Sequence, residues 1–188
     1  QEREEDAVLL GQERETQGER GAEGEVAAAR FARETKLPYL GLCRGMQQMV
    51  VEFARDVLGW DDATSTEFDP ESRHPVISLL EEQEGIENLG GTMRLGHYPC
   101  KLRPESKARA AFGQDQVDER HRHRWEFNND YKVELEEAGL IAAGTSPDGS
   151  LVEICELRDH PFMIGSQFHP ELRSRPGRPH PLFAAFMA

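Results

Sequence analysis

Basic residues are scarce in this chain of 188 residues, where 22 Lys+Arg stand against 35 Asp+Glu for a formal charge of −13. Neutralising a run of phosphates needs clustered Lys and Arg, so a dedicated nucleic-acid binder is excluded. Cysteine is scarcer still, with only Cys43, Cys100 and Cys155. An odd, widely spaced trio builds no disulfide framework and suits a reducing cytoplasm. No apolar run approaches the roughly 18 residues of a membrane helix. The opening Gln1-Glu2-Arg3-Glu4-Glu5-Asp6 carries no hydrophobic signal segment, so neither a membrane span nor a secretory leader is expected. What is present, 37% hydrophobic residues and 17 glycines, suffices for a core. At about 150 residues per domain, the length suits one domain.

The hydrophobic pattern alternates between two kinds of element. Ala7-Val8-Leu9-Leu10 reads as a short buried strand, followed by a polar, glycine-studded loop over residues 11–21. Residues 25–34 have the composition of an amphipathic helix. Pro38-Tyr39-Leu40-Gly41-Leu42 is apolar without a helical period and has its proline only at the entry, as a buried strand requires. Met46, Val50, Phe53 and Val57 then recur on one helical face that ends near Gly59. Residues 60–90 are polar and loop-rich. Further strands are expected over residues 92–102, 140–144, 151–157 and 162–168. Helices are expected over 129–138, stopped by Gly139, and over 181–187. Without repeats or a linker, this mixture predicts an α/β fold: a three-layer sandwich around a mostly parallel sheet, with antiparallel additions late in the chain.

Gly41-Leu42-Cys43-Arg44-Gly45 falls between the expected strand and helix. The same G-x-x-x-G turn with serine at its centre is the nucleophile elbow. Small residues on either side let strand and helix approach closely, and the central side chain projects at the carboxyl end of the strand. The N-terminus of the following helix favours a thiolate there. The N–H of Arg44 is placed to meet an oxyanion. A buried packing cysteine is the plainer alternative for this pentapeptide. A base is available in Gln167-Phe168-His169-Pro170-Glu171, which ends a strand-like run at the same rim. Glu171 is near enough to accept a ring N–H from His169 and set its tautomer.

These words together resemble the class I (triad) glutamine amidotransferases. Ser65-Thr66-Glu67-Phe68-Asp69-Pro70, Gly90-Gly91-Thr92-Met93-Arg94-Leu95-Gly96, Glu119-Arg120-His121-Arg122-His123-Arg124 with Phe127-Asn128-Asn129, and His180-Pro181-Leu182-Phe183 narrow the resemblance to the glutaminase domains of the CTP synthase family. It runs over residues 18–188, leaving 1–17 as an atypical segment. The resemblance implies a flavodoxin-like sheet and glutamine hydrolysis, with ammonia passed to a synthetase domain that aminates UTP using ATP and Mg. It implies Cys43 as nucleophile, His169 as base and acid, and Glu171 as orienter. L-glutamine would be contacted by Arg44, Gly45, Met46, Gln47, Glu67 and Arg124. A carboxylate for the ammonium and a guanidinium for the carboxylate suit a zwitterion. GTP activation, with Arg20 in the responsive lid, and a homo-oligomeric full-length enzyme are implied too. No cofactor is implied for this chain.

The chain also departs from that pattern. Thr16 stands where the family's loop has an oxyanion glycine, Arg44 replaces a leucine, and the opening elements and the synthetase domain are absent from this sequence. A catalytically silent binding or regulatory domain is therefore the alternative, with a stand-alone amidohydrolase on another γ-glutamyl substrate as a third reading. His121 and His123 share one strand face, yet no third ligand lies at metal spacing, so no metal is expected. Cys100 and Cys155 are expected to be buried and inert, and Trp60 and Trp125 to pack.

Overall fold

The computed structural model describes residues 19–79 and 93–188. The expected strand at residues 7–10, Thr16, the whole of the 1–17 segment and Gly90-Gly91-Thr92 lie outside them. Helix α1 (Glu19–Thr35) leads to strand β1 (Tyr39–Leu42), and helix α2 (Arg44–Asp56) follows at once. The helix starts earlier than the sequence suggests, so Gly21 lies inside it rather than in a loop. Gly59, in the left-handed region at φ 73°, turns the chain after α2. Strands β2 (Thr64–Ser65), β3 (Pro75–Leu79), β4 (Arg94–Leu102), helix α3 (Lys107–Phe112), and strands β5 (Gln116–His123) and β6 (Trp125–Phe127) come next. After a 3-10 turn at Asn129–Tyr131 come helix α4 (Lys132–Ala138), strands β7 (Leu140–Thr145), β8 (Val152–Leu157) and β9 (Met163–Ser166), and helix α5 (Pro181–Phe186).

Two sheets carry these strands. The larger has the order β1-β9-β8-β7-β4-β5, and the smaller β2-β3-β6. The α/β sandwich is the fold the sequence indicates, but strand direction differs from the mostly parallel expectation among the described residues. Only β1 and β9 run parallel in the larger sheet; β9-β8, β8-β7, β7-β4 and β4-β5 are antiparallel. The reason is local. Short polar links join β7 to β8 and β8 to β9, too short for the crossover that parallel neighbours need. One turn, Ser146–Ser150, is closed by Asp148, which accepts from the Ser150 N–H at 3.1 Å.

Alternation along the strands feeds a core on each face. Tyr39, Met163, Cys155 and Leu157 face α1, α2 and α4, whereas Leu40, Leu42, Ile154 and Ile164 face α3 and α5. Helix α2 is buried almost all round, because the sheet, α1 and the small sheet enclose it. Its polar Glu52 is accordingly wholly buried and paired with Arg33 of α1 at 2.7 Å. The large sheet also curls. Strand β4 pairs with β7 only at Lys101 and Leu102, and beyond that point the β4–β5 hairpin rolls back over the sheet. A flat sheet would hold β5 four strand spacings, about 19 Å, from β9. Instead the N–H of His169, just past β9, donates to the carbonyl of Arg120 on β5 at 2.8 Å.

Buried charges latch this curl. Arg94 of β4 donates to Glu153 of β8 at 2.9 Å and to Glu126 of β6 at 3.1 Å, and His123 of β5 meets the same Glu126 oxygen at 2.6 Å. Burial pushes the Glu153 carboxyl above its ordinary range, against the pull of Arg94.

Candidate active site

Cys43 sits between β1 and α2 with φ 51° and ψ −103°, a conformation L-residues avoid. The surroundings enforce it. Cys43 N–H donates to the Ser166 carbonyl at 2.6 Å, and the Cys43 carbonyl accepts from Met46 and Gln47 at 3.1 and 3.2 Å. The Tyr39 hydroxyl donates to the Gly45 carbonyl at 2.9 Å and pins the first turn of α2 to β1. A Cβ on Gly41 would lie 2.6 Å from the Gly45 carbonyl carbon, and one on Gly165 would lie 2.8 Å from Met46. Both glycines are therefore required by the closeness of strand and helix. The residue is 1% exposed, beside the N-terminus of α2.

Parallel pairing of β1 with β9 sets Leu42 against Ser166, so the two chains leave the sheet side by side. Gln167 follows, fully buried; its Nε2 donates to Cys43 Sγ at 3.5 Å. Phe168 then anchors the chain in the second core. His169 comes next, 8% exposed, with Nδ1 2.7 Å from Glu171 Oε1. Burial works to raise the Glu171 pKa, but its bond to His169, a backbone N–H and the charges of His169 and His180 hold it below the ordinary range. The carboxylate is thus held in its ionised form beside the ring.

The remaining expected positions divide. Gly45 and Met46 form the buried first turn of α2. The Gln47 amide is buried and donates to the Trp125 carbonyl at 2.9 Å and to Gln167 Oε1 at 3.2 Å. Arg44 turns away toward α1, 3.3 Å from Glu25, with its guanidinium 5.2 Å from the Phe68 ring centre. Burial raises the Glu25 carboxyl, and Arg44 opposes the rise. Glu67 is exposed in the turn after β2, its N–H held by Ser65 Oγ at 3.2 Å. Arg124 is exposed at the bend where the chain leaves β5 for β6.

His121 and His123 both face inward from β5, with ring centres 5.3 Å apart. Burial, with Arg94, His123 and His169 nearby, depresses the pKa of His121 to about 2, so it stays neutral. Among the described residues, no group of three or more His, Cys, Asp or Glu is arranged to hold a metal. Cys100 and Cys155 are buried thiols whose pKa burial pushes up, which leaves them inert. Trp60 packs in a stack on His74 at 4.9 Å. Sequence reasoning missed Gln167 and the Arg94–Glu126–Glu153 latch. Gln167 lay within the His-Pro-Glu word but read only as strand, and the latch residues are distant in sequence.

An α/β fold with a cysteine on a strained elbow, and a carboxylate-oriented histidine leaving the next strand, defines a class of thiol-dependent acyl-transfer sites. Comparison with known proteins narrows the class. Residues 6–188 match the family model described as Glutamine amidotransferase class-I. The CTP synthase of Dehalococcoides mccartyi is 61% identical over 170 residues, which are 90% of this chain and 31% of that protein. That of Rubrobacter xylanophilus is 62% identical over 170 residues, with the same coverage. The glutaminase domain of Trypanosoma brucei CTPS, solved with bound acivicin, superposes with a TM-score of 0.88 at 36% identity, covering 96% of this chain and 69% of that one. The chain belongs to the class I glutamine amidotransferase family, as its glutaminase branch found in CTP synthases. It spans about a third of the length of the curated relatives it matches. Among the described residues, no helix is long and apolar enough to cross a membrane.

Proposed function

We propose that this chain hydrolyses L-glutamine and supplies the ammonia for amination of UTP to CTP by an attached synthetase domain. The observation that carries the reading is the placement of Cys43, on its elbow, and of the bonded His169–Glu171 pair at the ends of neighbouring strands. Binding of acivicin, a glutamine analogue, to the T. brucei domain supports it.

In this reading, Cys43 Sγ attacks the side-chain carbonyl carbon of glutamine, and His169 takes the thiol proton. The carbonyl electrons move to oxygen, opposite the N–H groups at the start of α2. Collapse breaks the C–N bond, with His169 protonating the departing ammonia. Water then attacks the thioester, gives its proton to His169, and releases glutamate with return of the thiol. Glu67 and Arg124 are proposed to hold the ammonium and carboxylate of glutamine, and Gln47 with the backbone of Arg44, Gly45 and Met46 to wall its side chain. A domain spanning 18–188, activation by GTP and oligomerisation through the synthetase part belong to the same reading. Three buried cysteines kept as thiols support a reducing cytoplasm as its compartment.

The test is labelling with a diazo-ketone analogue of glutamine, read by intact mass and peptide mapping, with Cys43→Ser as control. A stoichiometric adduct on Cys43, blocked by free glutamine, is expected, together with glutamate release measured with and without GTP. A folded chain that takes no adduct would sink the reading. The silent-domain alternative, which rests on Thr16 replacing a loop glycine, would then lead.

A further inference from the structure

Gln167 has no part in the chemistry just described, yet its side chain touches the reacting sulfur. Its position is closely set: the residue is fully buried, and its backbone N–H donates to the Glu153 carbonyl at 2.8 Å. The orientation of its amide follows from a chain of donors that ends on the backbone. The Trp125 carbonyl only accepts, so the end of Gln47 that meets it at 2.9 Å is the NH2. The same NH2 lies 3.2 Å from Gln167, which must therefore present its oxygen there. Gln167 is left with its own NH2 toward Cys43 Sγ, at 3.5 Å. The usual ambiguity between amide oxygen and nitrogen is thus removed by one main-chain carbonyl.

We propose that Gln167 is a catalytic residue of this site, an N–H donor that holds Cys43 as thiolate and receives the sulfur's charge again when the thioester breaks. A donor favours the charged form of its acceptor, and a neutral thiol accepts poorly, so the bond is worth more to the thiolate. In a site closed to water, no solvent donor replaces it. On attack, the sulfur lone pair forms the S–C bond while Gln167 keeps its proton. When water attacks the thioester, the C–S bond breaks, its electron pair returns to sulfur, and the same N–H meets it. The first half rests on geometry alone; the second rests on the proposed glutamine hydrolysis.

The experiment is a pH titration of thiolate ultraviolet absorbance in the whole chain without glutamine, with Cys43→Ser as baseline. Cys100 and Cys155 do not interfere, because burial pushes their titration upward. Gln167→Met keeps the length without the donor and should raise the Cys43 midpoint by roughly 1–2 pH units. Gln167→Glu should raise it further by setting a carboxylate against the sulfur. Gln47→Met leaves Gln167 in place with its amide unlatched and should give a smaller rise. Thermal melts identify the variants that fold. An unchanged midpoint in every folded variant would overturn the proposal, and Gln47→Met decides it if neither Gln167 variant folds. Because no substrate is present, a shifted midpoint in a chain that never hydrolyses glutamine keeps the donor and removes only the glutaminase reading.

Discussion

Where β1 ends, Cys43 is set by lack of room. Its positive φ persists because Gly41 and Gly165 leave no space for a Cβ and α2 lies directly against the strand. Where β9 ends, His169 is set by polar groups: Glu171 on its ring, the Arg120 carbonyl on its backbone, and behind them the buried latch of Arg94, Glu126 and Glu153. Cys43 is thus fixed by volume and His169 by charge. Volume is insensitive to pH and salt but intolerant of a methyl group, whereas charge tolerates small changes of shape and responds to protons.

That contrast can be attacked from either side. The largest effect should be chemical: Cys43→Ser leaves the elbow in shape and lowers glutamine turnover by about 10⁴-fold or more, measured as glutamate release. Turnover near the parent rate would remove Cys43 from its role. Next comes Arg94→Met, which strands two buried carboxylates and should cost roughly 3–5 kcal/mol in denaturant unfolding. A near-neutral result would mean that charge does not hold the base side. Gly41→Ala should cost about 3 kcal/mol with little dependence on pH, since the loss is steric. A steep pH dependence there would blur the distinction. Glu171→Gln, whose carboxylate is partly open to solvent, should slow turnover by roughly 10–100-fold without altering the melt.

The smallest effect is a slope. His121 titrates at about 2 in the folded chain against an ordinary 6.5. Below about pH 6.5 the unfolded chain therefore binds a proton that the folded chain refuses, and stability falls as pH falls. Unfolding followed from neutral to about pH 5 should show His121→Leu losing less stability than the parent, by up to about 1.4 kcal/mol per pH unit. Glu153, raised by burial, acts in the opposite sense near its own titration, and its Oε2 lies 3.6 Å from His121 Nδ1, so the same comparison made with Glu153→Gln in both chains isolates the histidine. Equal slopes would show that His121 takes up its proton without unfolding.

Much of the volume-set half was legible in the sequence. Gly41, Cys43 and Gly45 lie within five residues, and the α2 pattern of Met46, Val50, Phe53 and Val57 follows directly. The contact between His169 and Glu171 is legible too, because the two lie two residues apart. The latch was not: Arg94, Glu126 and Glu153 meet only because the sheet curls, and curl is a property of non-local pairing. Strand β3 is hard to read from sequence because it opens on Pro75 and follows the polar residues 71–74. Helix α3 has six residues, too few for a period, although Ser106 caps it and Gly113 closes it. The antiparallel direction of the described strands β4 to β8 is not legible, because apolar runs such as those of β7 and β8 read alike in parallel and antiparallel sheets.

The short path from β5 through Arg124 into β6 has an energetic consequence. Within six residues, the Arg120 carbonyl holds the backbone of His169 and the Trp125 carbonyl holds the Gln47 amide. One stretch of main chain is therefore shared by both halves, and substitutions on the two sides should not combine as independent increments. In a double-mutant cycle, Gln47→Met with Glu171→Gln should depart from additivity, whereas either change paired with one in the Ser146–Ser150 turn should simply sum.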